Sequence, residues 1–555
     1  IIMDMSGFAG LAAEERLEDF PESSETQSSG GIWGTGEGLL SVESTYATGV
    51  DHTCAVMVNN SVYCWGNDDD GELGNTDSVT TDQNIPNLVD FSSYTGNNSY
   101  YSAPDGYFGN TVIEISAGHQ ITCARTDDGA VVCWGTGSQR VHGLSTNSDV
   151  PAPDSPVPLP GLATSITVGY RHACAILQND QHNIDNGSVY CWGNNYYGQL
   201  GNGNSADGAH TPTLVSLPAG SEALQIATAY RHTCAIMSND SVYCWGLNQY
   251  GQLGDDTRCQ TGVFSNGCNG LQGKPTPTKL DLPDNIKPIQ IATSYDSTCV
   301  VSSTFRLFCS GYLHHIYDGS GNHEMSPVEL TGTFGPSGNV QQVAFSNTPE
   351  SPGFCVLNRT YDVQCWGYNP AFRTGVSPSG WLYSYSDVES QNSAPSGLNI
   401  TSISIGGRHG CRSLSDNSLQ CWGDNQVGEA GVGNFTSPIP SPSVVSGNHT
   451  LLMSNLDDDN DGIQDLFDSC PNGASGWTSS SLNDNDQDGC RDSDEDNDDD
   501  NDGFPDSSDL YPNDSRFFQN LTMADGWISG SRHELVGAGT FWAATGFNYG
   551  IFLNS

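Results

Sequence analysis

The sequence predicts an all-β fold, a seven-bladed β-propeller, on three observations. A cysteine pair returns seven times, residues alternate in polarity on both sides of each pair's turn, and the copies recur about every sixty residues. The first copy reads HTCAVMVNNSVYCWGNDDDGELG from His52 to Gly74. Its cysteines, Cys54 and Cys64, have nine residues between them, as do Cys123 and Cys133, Cys234 and Cys244, Cys299 and Cys309, Cys355 and Cys365, and Cys411 and Cys421. Cys174 and Cys191 form a seventh copy with a longer tip, QNDQHNIDNG.

Each copy reads as a hairpin. Cys54, Val56 and Val58 point one way, Ala55 and Met57 the other, and Val62 and Cys64 continue the first face on the return arm. Facing residues of antiparallel strands lie roughly 4.5–5.5 Å apart, within the about 4.4–6.8 Å a disulfide spans, so every pair can be bridged. Closing so short a loop is worth roughly 2.5–3 kcal/mol in chain-entropy terms. Trp-Gly follows most second cysteines, and several copies then turn through GELG at Gly71, GQLG at Gly198 and Gly251, or GEAG at Gly428. Glycine suits such returns because it takes positive φ without strain. A further strand precedes the first cysteine, as in ITVGYRHAC from Ile166 and LQIATAYRHTC from Leu224. Three or four short strands cannot bury both faces of their own sheet, and stacking the sheets radially buries them all.

The repeat G-x-x-H-[TA]-C-A…VYCWG-x-N-x-x-GQLG resembles that of the regulator of chromosome condensation family over Ile32 to Thr450. The likeness is strong around Cys54, Cys174, Cys234 and Cys411 and weak around Cys299 and Cys355. It implies seven blades, the last completed by strands from both chain ends. The GTPase-activating role of the nuclear member is not carried over. His52, His172, His232 and His409 occupy one slot, two residues before a cysteine. Repetition in several blades reads as a structural ring that bonds backbone, since a catalytic histidine is needed once.

Two more local pairs, Cys259 with Cys268 and Cys470 with Cys490, use up the 18 cysteines. Nine local bridges and no C-x-x-C spacing exclude a zinc framework and place the chain in an oxidising compartment, extracellular or at a cell surface. The net charge is −48, from 65 acids against 17 bases, which excludes nucleic acid and anionic membrane surfaces as partners. No apolar run reaches the roughly eighteen residues of a membrane span. The start at Ile1 reads as a processed product whose export signal has gone. Ten sequons offer glycosylation acceptors: Asn59, Asn97, Asn186, Asn239, Asn358, Asn399, Asn434, Asn448, Asn513 and Asn520.

From Asp457 the composition changes. Nineteen aspartates fall between Asp457 and Asp514. Asp457, Asp459 and Asp461 alternate, Gly462 follows, and Asp465 and Asp468 complete a set before Cys470-Pro471. The register returns at Asp484, Asp486, Asp488 and Asp492, and again at Asp498, Asp500, Asp502, Asp506 and Asp509, with Asp496 between the sets. Alternating carboxylates around a glycine turn can place six or seven oxygens about Ca²⁺. The pattern looks like the thrombospondin type 3 repeat, although Tyr511 stands where the third copy would carry its cysteine. The implied cofactor is Ca²⁺.

Four segments follow: an extension and linker over 1–31, the propeller over 32–450, the calcium repeats over 451–514, and an apolar tail over 515–555. In the tail Phe547, Tyr549 and Ile551 alternate as a strand would, which suits self-association through the termini. No nucleophile–base pair, carboxylate dyad or phosphate loop stands out. The expected function is a non-enzymatic structural or adhesive surface protein assembling into a polymer. The alternative is a soluble module that binds a glycan or protein on one propeller face, and a propeller hydrolase ranks third.

Overall fold

The computed structural model describes residues 45–447, apart from 58–60, 76–80, 93–111, 179–185, 206–210, 221, 263–265, 271, 314–322, 331–338, 347, 349–352, 370–379 and 388–397. It also describes Arg491 and two strands, Trp542–Ala544 and Tyr549–Ile551. The chain divides into two compact units, 38–454 and a second formed by 1–37 with 455–555. In the second unit the two strands pair as an antiparallel hairpin, Trp542 opposite Ile551.

The larger unit is the seven-bladed propeller. Its sheets cover 46–88, 112–135, 162–214, 223–279, 288–329, 340–387 and 400–444, each an antiparallel meander. Six have four strands. Blade 2 has three, and isolated bridges from Val132 to Pro156 and from Gly135 to Val150 take the place of its fourth. The first strand of each blade meets the first strands of both neighbours, so these strands line the centre of the ring. The connections from first to second strand and from third to fourth therefore share one face. The cysteine hairpin tips lie on the other.

The core is divided into seven apolar clusters, one at each joint between blades. Six of the fully buried side chains are the tryptophans Trp65, Trp134, Trp192, Trp245, Trp366 and Trp422. The blades thus bury their faces against each other, as short sheets must.

Cys54 lies directly opposite Cys64 in the ladder, and the same register holds in the other six blades. All seven bridges form, with Cα–Cα distances of 4.0 or 4.1 Å. This is the close, non-hydrogen-bonded kind of cross-strand pair. An eighth bridge, Cys259–Cys268, ties an insertion in blade 4. No cysteine is free among the described residues.

One expectation from the resemblance fails. Among the described residues no blade combines strands from the two chain ends: Tyr46–Thr48 pairs within blade 1, and the four strands of blade 7 run in sequence from Ile400 to Val444. The ring closes by side-chain and loop contacts, Thr48 Oγ1 to Ser404 Oγ at 2.7 Å and Gly407 N donating to Gly49 O at 3.2 Å.

Candidate functional site

The recurring histidine slot is structural, but its partner differs from the expected backbone. His52 Nε2 meets Thr122 Oγ1 of the next blade at 2.9 Å, His172 meets Thr233 at 2.8 Å, His232 meets Thr298 at 2.9 Å, and His409 meets Thr53 at 2.7 Å. The threonine hydroxyl has one proton. At three joints it donates that proton to a turn carbonyl of the previous blade, Glu72 O, Gln199 O or Glu429 O, each at 3.1 Å. The histidine Nε2 must then carry its own proton and donate. The same carbonyls accept from the indole N–H of Trp134, Trp245 and Trp65 at 2.9–3.0 Å. They belong to the Gly-x-Leu-Gly turns at Gly71 and Gly198 and to the Gly-Glu-Ala-Gly turn at Gly428, so this conspicuous motif is a socket for the next blade's tryptophan. A Cβ on Gly74 would come within 2.7 Å of Trp134 Nε1, which is why that turn ends in glycine.

Burial holds these rings neutral: His52, His172 and His232 are pushed down to about 3. The turn acids Glu72 and Glu429 are buried and pushed up to about 8, and glutamines fill the equivalent positions at Gln199 and Gln252. None of these groups is placed for acid–base chemistry on a ligand.

The surface that could meet a ligand lies on the opposite face from the hairpin tips. One slot in the connection between first and second strands reads His119, Tyr170, Tyr230 and Tyr295 in four consecutive blades. Their rings form an arc, with centroids 4.2, 4.5 and 4.8 Å apart in turn. Beside the arc, at the joint of blades 3 and 4, lies an open hollow of about 200 Å³. Tyr170, Tyr196, Tyr197 and Tyr230 wall it, Arg171 and Arg231 flank it, and Asn194 and Gln199 form its polar floor. Gln199 Nε2 donates to Asn194 Oδ1 at 2.6 Å while its Oε1 accepts from Tyr197 N at 2.9 Å, so the floor is fixed. The Arg231 guanidinium lies 4.2 Å from the Tyr230 centroid and 4.7 Å from that of Tyr197. It donates to both phenol oxygens, at 2.9 and 3.0 Å. Arg171 sits over Tyr170 at 5.4 Å.

The Tyr-Arg-His runs are visible in the sequence, but the shared surface of their tyrosines is not. The available signal was the aromatic identity of one slot across four repeats. Of the sequons, Asn186, Asn239, Asn399 and Asn434 are exposed. Asn358 is buried, and its Oδ1 accepts from the turn it caps. Asn59, Asn97, Asn448, Asn513 and Asn520 lie outside the described residues. So do the aspartates from Asp457 to Asp509 proposed for Ca²⁺, the pair Cys470 and Cys490, and the N-terminal extension. Among the described residues no cluster of acids, histidines or cysteines could hold a metal ion, and no helix is long and apolar enough to cross a membrane.

Comparison with known proteins agrees with the ring. Two models of the regulator of chromosome condensation (RCC1) repeat match, one over 186–236 and 239–301, the other over 47–72, 112–139, 163–199, 224–252 and 400–429. Neither match reaches the blade of Cys355. The chain is similar to the ultraviolet-B receptor UVR8 of Arabidopsis thaliana, 27% identical over 48% of this chain and 52% of the receptor. It is also similar to the guanine nucleotide exchange factor SRM1 of Saccharomyces cerevisiae, 26% identical over 48% of this chain and 56% of that protein. It thus spans about half the length of these relatives. Among solved structures it resembles human WBSCR16, with TM-score 0.55 and 20% identity over 70% of this chain and 96% of the other. Prp20p of Saccharomyces cerevisiae gives TM-score 0.51 and 22% identity over 65% and 80%. The chain is a seven-bladed propeller of RCC1-type repeats, with a disulfide in every blade.

Proposed function

We propose that this chain is a non-enzymatic extracellular recognition protein, a disulfide-stapled propeller that attaches to a surface through the tyrosine–arginine face. Eight bridges among the described residues fit an oxidising compartment. One observation carries the reading: in a chain with 65 acids and 17 bases, two arginines are held on tyrosine rings at a solvent-open hollow. Tyrosine and arginine are the residues that supply contact area and anchoring energy at recognition surfaces. The exposed hairpin-tip sequons Asn186 and Asn239 face the other way, so glycosylation there would leave this face clear. The adhesive role expected from the sequence fits the same surface.

The test is attachment of labelled protein to immobilised extracellular polysaccharides and matrix proteins. Tyr230→Ala should weaken attachment at least tenfold, and Asn239→Ala on the opposite face should leave it unchanged. Equal attachment by wild type and Tyr230→Ala overturns the reading.

A further inference from the structure

We infer, resting on that reading, that the hollow between blades 3 and 4 takes an acidic sugar, a saccharide ring carrying a carboxylate or sulfate. Among the described residues neither Arg171 nor Arg231 has a carboxylate within the 4.0 Å ion-pair distance. Some other basic side chains of this acidic chain do find one: Arg125 pairs with Glu114, Arg306 with Glu329 and Lys274 with Asp255. Arg231 is also oriented rather than loose, since two phenol oxygens accept from it without neutralising its charge. A planar, fixed guanidinium with no internal anion is built to receive a carboxylate or sulfate from outside.

The rest of the hollow suits a sugar. Tyrosine faces present flat apolar surface to the C–H side of a pyranose, and the amides of Asn194 and Gln199 supply polar groups for its hydroxyls. At about 200 Å³ the space is below the usual range for a drug-sized ligand and matches a single ring with the rest of a polymer running across the face. The site stands on interstrand loops, so it offers an acidic peptide no sheet edge to extend.

The full chain should be titrated calorimetrically with trigalacturonate, a sulfated disaccharide, neutral maltotriose and hexaglutamate. At least one acidic saccharide should bind, more weakly as salt rises, and at least tenfold tighter than maltotriose or hexaglutamate. Arg231→Gln should weaken that binding tenfold or more, and Tyr196→Ala, at a side chain 45% exposed, should weaken it without lowering the melting temperature. Absence of binding by both acidic saccharides, equal binding of hexaglutamate or of maltotriose, or indifference to both variants overturns the inference. Surface attachment that depends on Tyr230, without acidic-saccharide binding, removes this inference and leaves the recognition reading standing. Saccharide binding lost in Arg231→Gln alongside unchanged attachment by Tyr230→Ala removes the recognition reading instead.

Discussion

Two arcs of the ring join their blades by different chemistry. From blade 7 through blade 1 to blade 2, and again from blade 3 to blade 4, the joint is a relay from histidine to threonine to a turn carbonyl that also holds tryptophan. From blade 5 through blade 6 to blade 7 the relay is gone: Ser297 and Gly353 stand in the histidine slot, and Phe354 and Gly410 in the threonine slot. A glutamine clamp replaces it near the channel. Gln290 Oε1 accepts from Val343 N at 3.0 Å while its Nε2 donates to Val343 O at 3.3 Å. Gln342 does the same to Ile403, at 2.9 and 3.1 Å. Each glutamine follows a β-bulge that turns its side chain toward the next blade, where it imitates a neighbouring strand. A stack of Phe345, Phe354 and Trp366, with centroids 5.4 and 4.9 Å apart, fills the space around one of these joints. Blade contact thus has two sufficient solutions: the clamp pairs both polar atoms of each glutamine, whereas the relay pairs Nε2 of His52 and His172 and leaves their buried Nδ1 without a hydrogen bond.

Acid should separate the arcs most. The folded-state pKa of His52, His172 and His232 is about 3, below the ordinary 6.5. Their contribution is therefore present above pH 6.5 and is lost as pH falls toward 3. Each costs about 1.4 kcal/mol per pH unit in that window. Hydrogen exchange at pH 4 should rise first at the relay joints, and uniform protection around the ring would remove the distinction. Reduction should act in the other direction. Blades 5 and 6 lack the tryptophan socket on at least one side, and each bridge there contributes about 3 kcal/mol. Mild reductant should deprotect residues 298–367 before the blades of Cys174 and Cys234, and simultaneous loss would show that the clamp fully replaces the socket.

Glu72 and Glu429 sharpen the relay arc with the opposite sign. Folded values raised to about 8 from 4.5 mean that their stabilising neutral form is complete below pH 4.5 and lost as pH rises through 8. Glu72→Gln should therefore raise the melting temperature at pH 7, by about 2–3 kcal/mol of stability, and change little at pH 4.5. The smallest expected effect compares single joints. Thr233→Val strips both bonds from one relay and Gln342→Leu both from one clamp, so each should cost about 2 kcal/mol in denaturant unfolding. A cost confined to one of them would rank the two devices.

Much of the fold was legible because covalent and turn chemistry is local. Cysteine spacing, Asn-rich tips and Gly-x-Leu-Gly turns each concern residues within one blade. The joints were not legible, because each depends on two slots about sixty residues apart being read together. Ile121 stands in the histidine slot of blade 2, and Ala173 in the threonine slot of blade 3 which it faces. That matched loss of both partners is the sequence trace of the relay, and it is visible only once the blades are known to be neighbours. The tyrosine–arginine face was missed for a related reason. Tyr170 and Tyr230 looked like ordinary loop residues until the ring set them 4.5 Å apart.

A ring closed without a shared strand has a history written into it. Thr53 and Trp65 meet their carbonyl at Glu429, 376 and 364 residues further along the chain. During synthesis the first blade is complete hundreds of residues before its partner exists, and its tryptophan waits uncovered. Holding ends that far apart in sequence costs only roughly 1.5 kcal/mol more than closing a sixty-residue loop, because the entropy grows as a logarithm. The penalty falls on time instead of stability. Until blade 7 arrives, the newborn chain exposes an apolar flank at each end, and both need shelter while it folds.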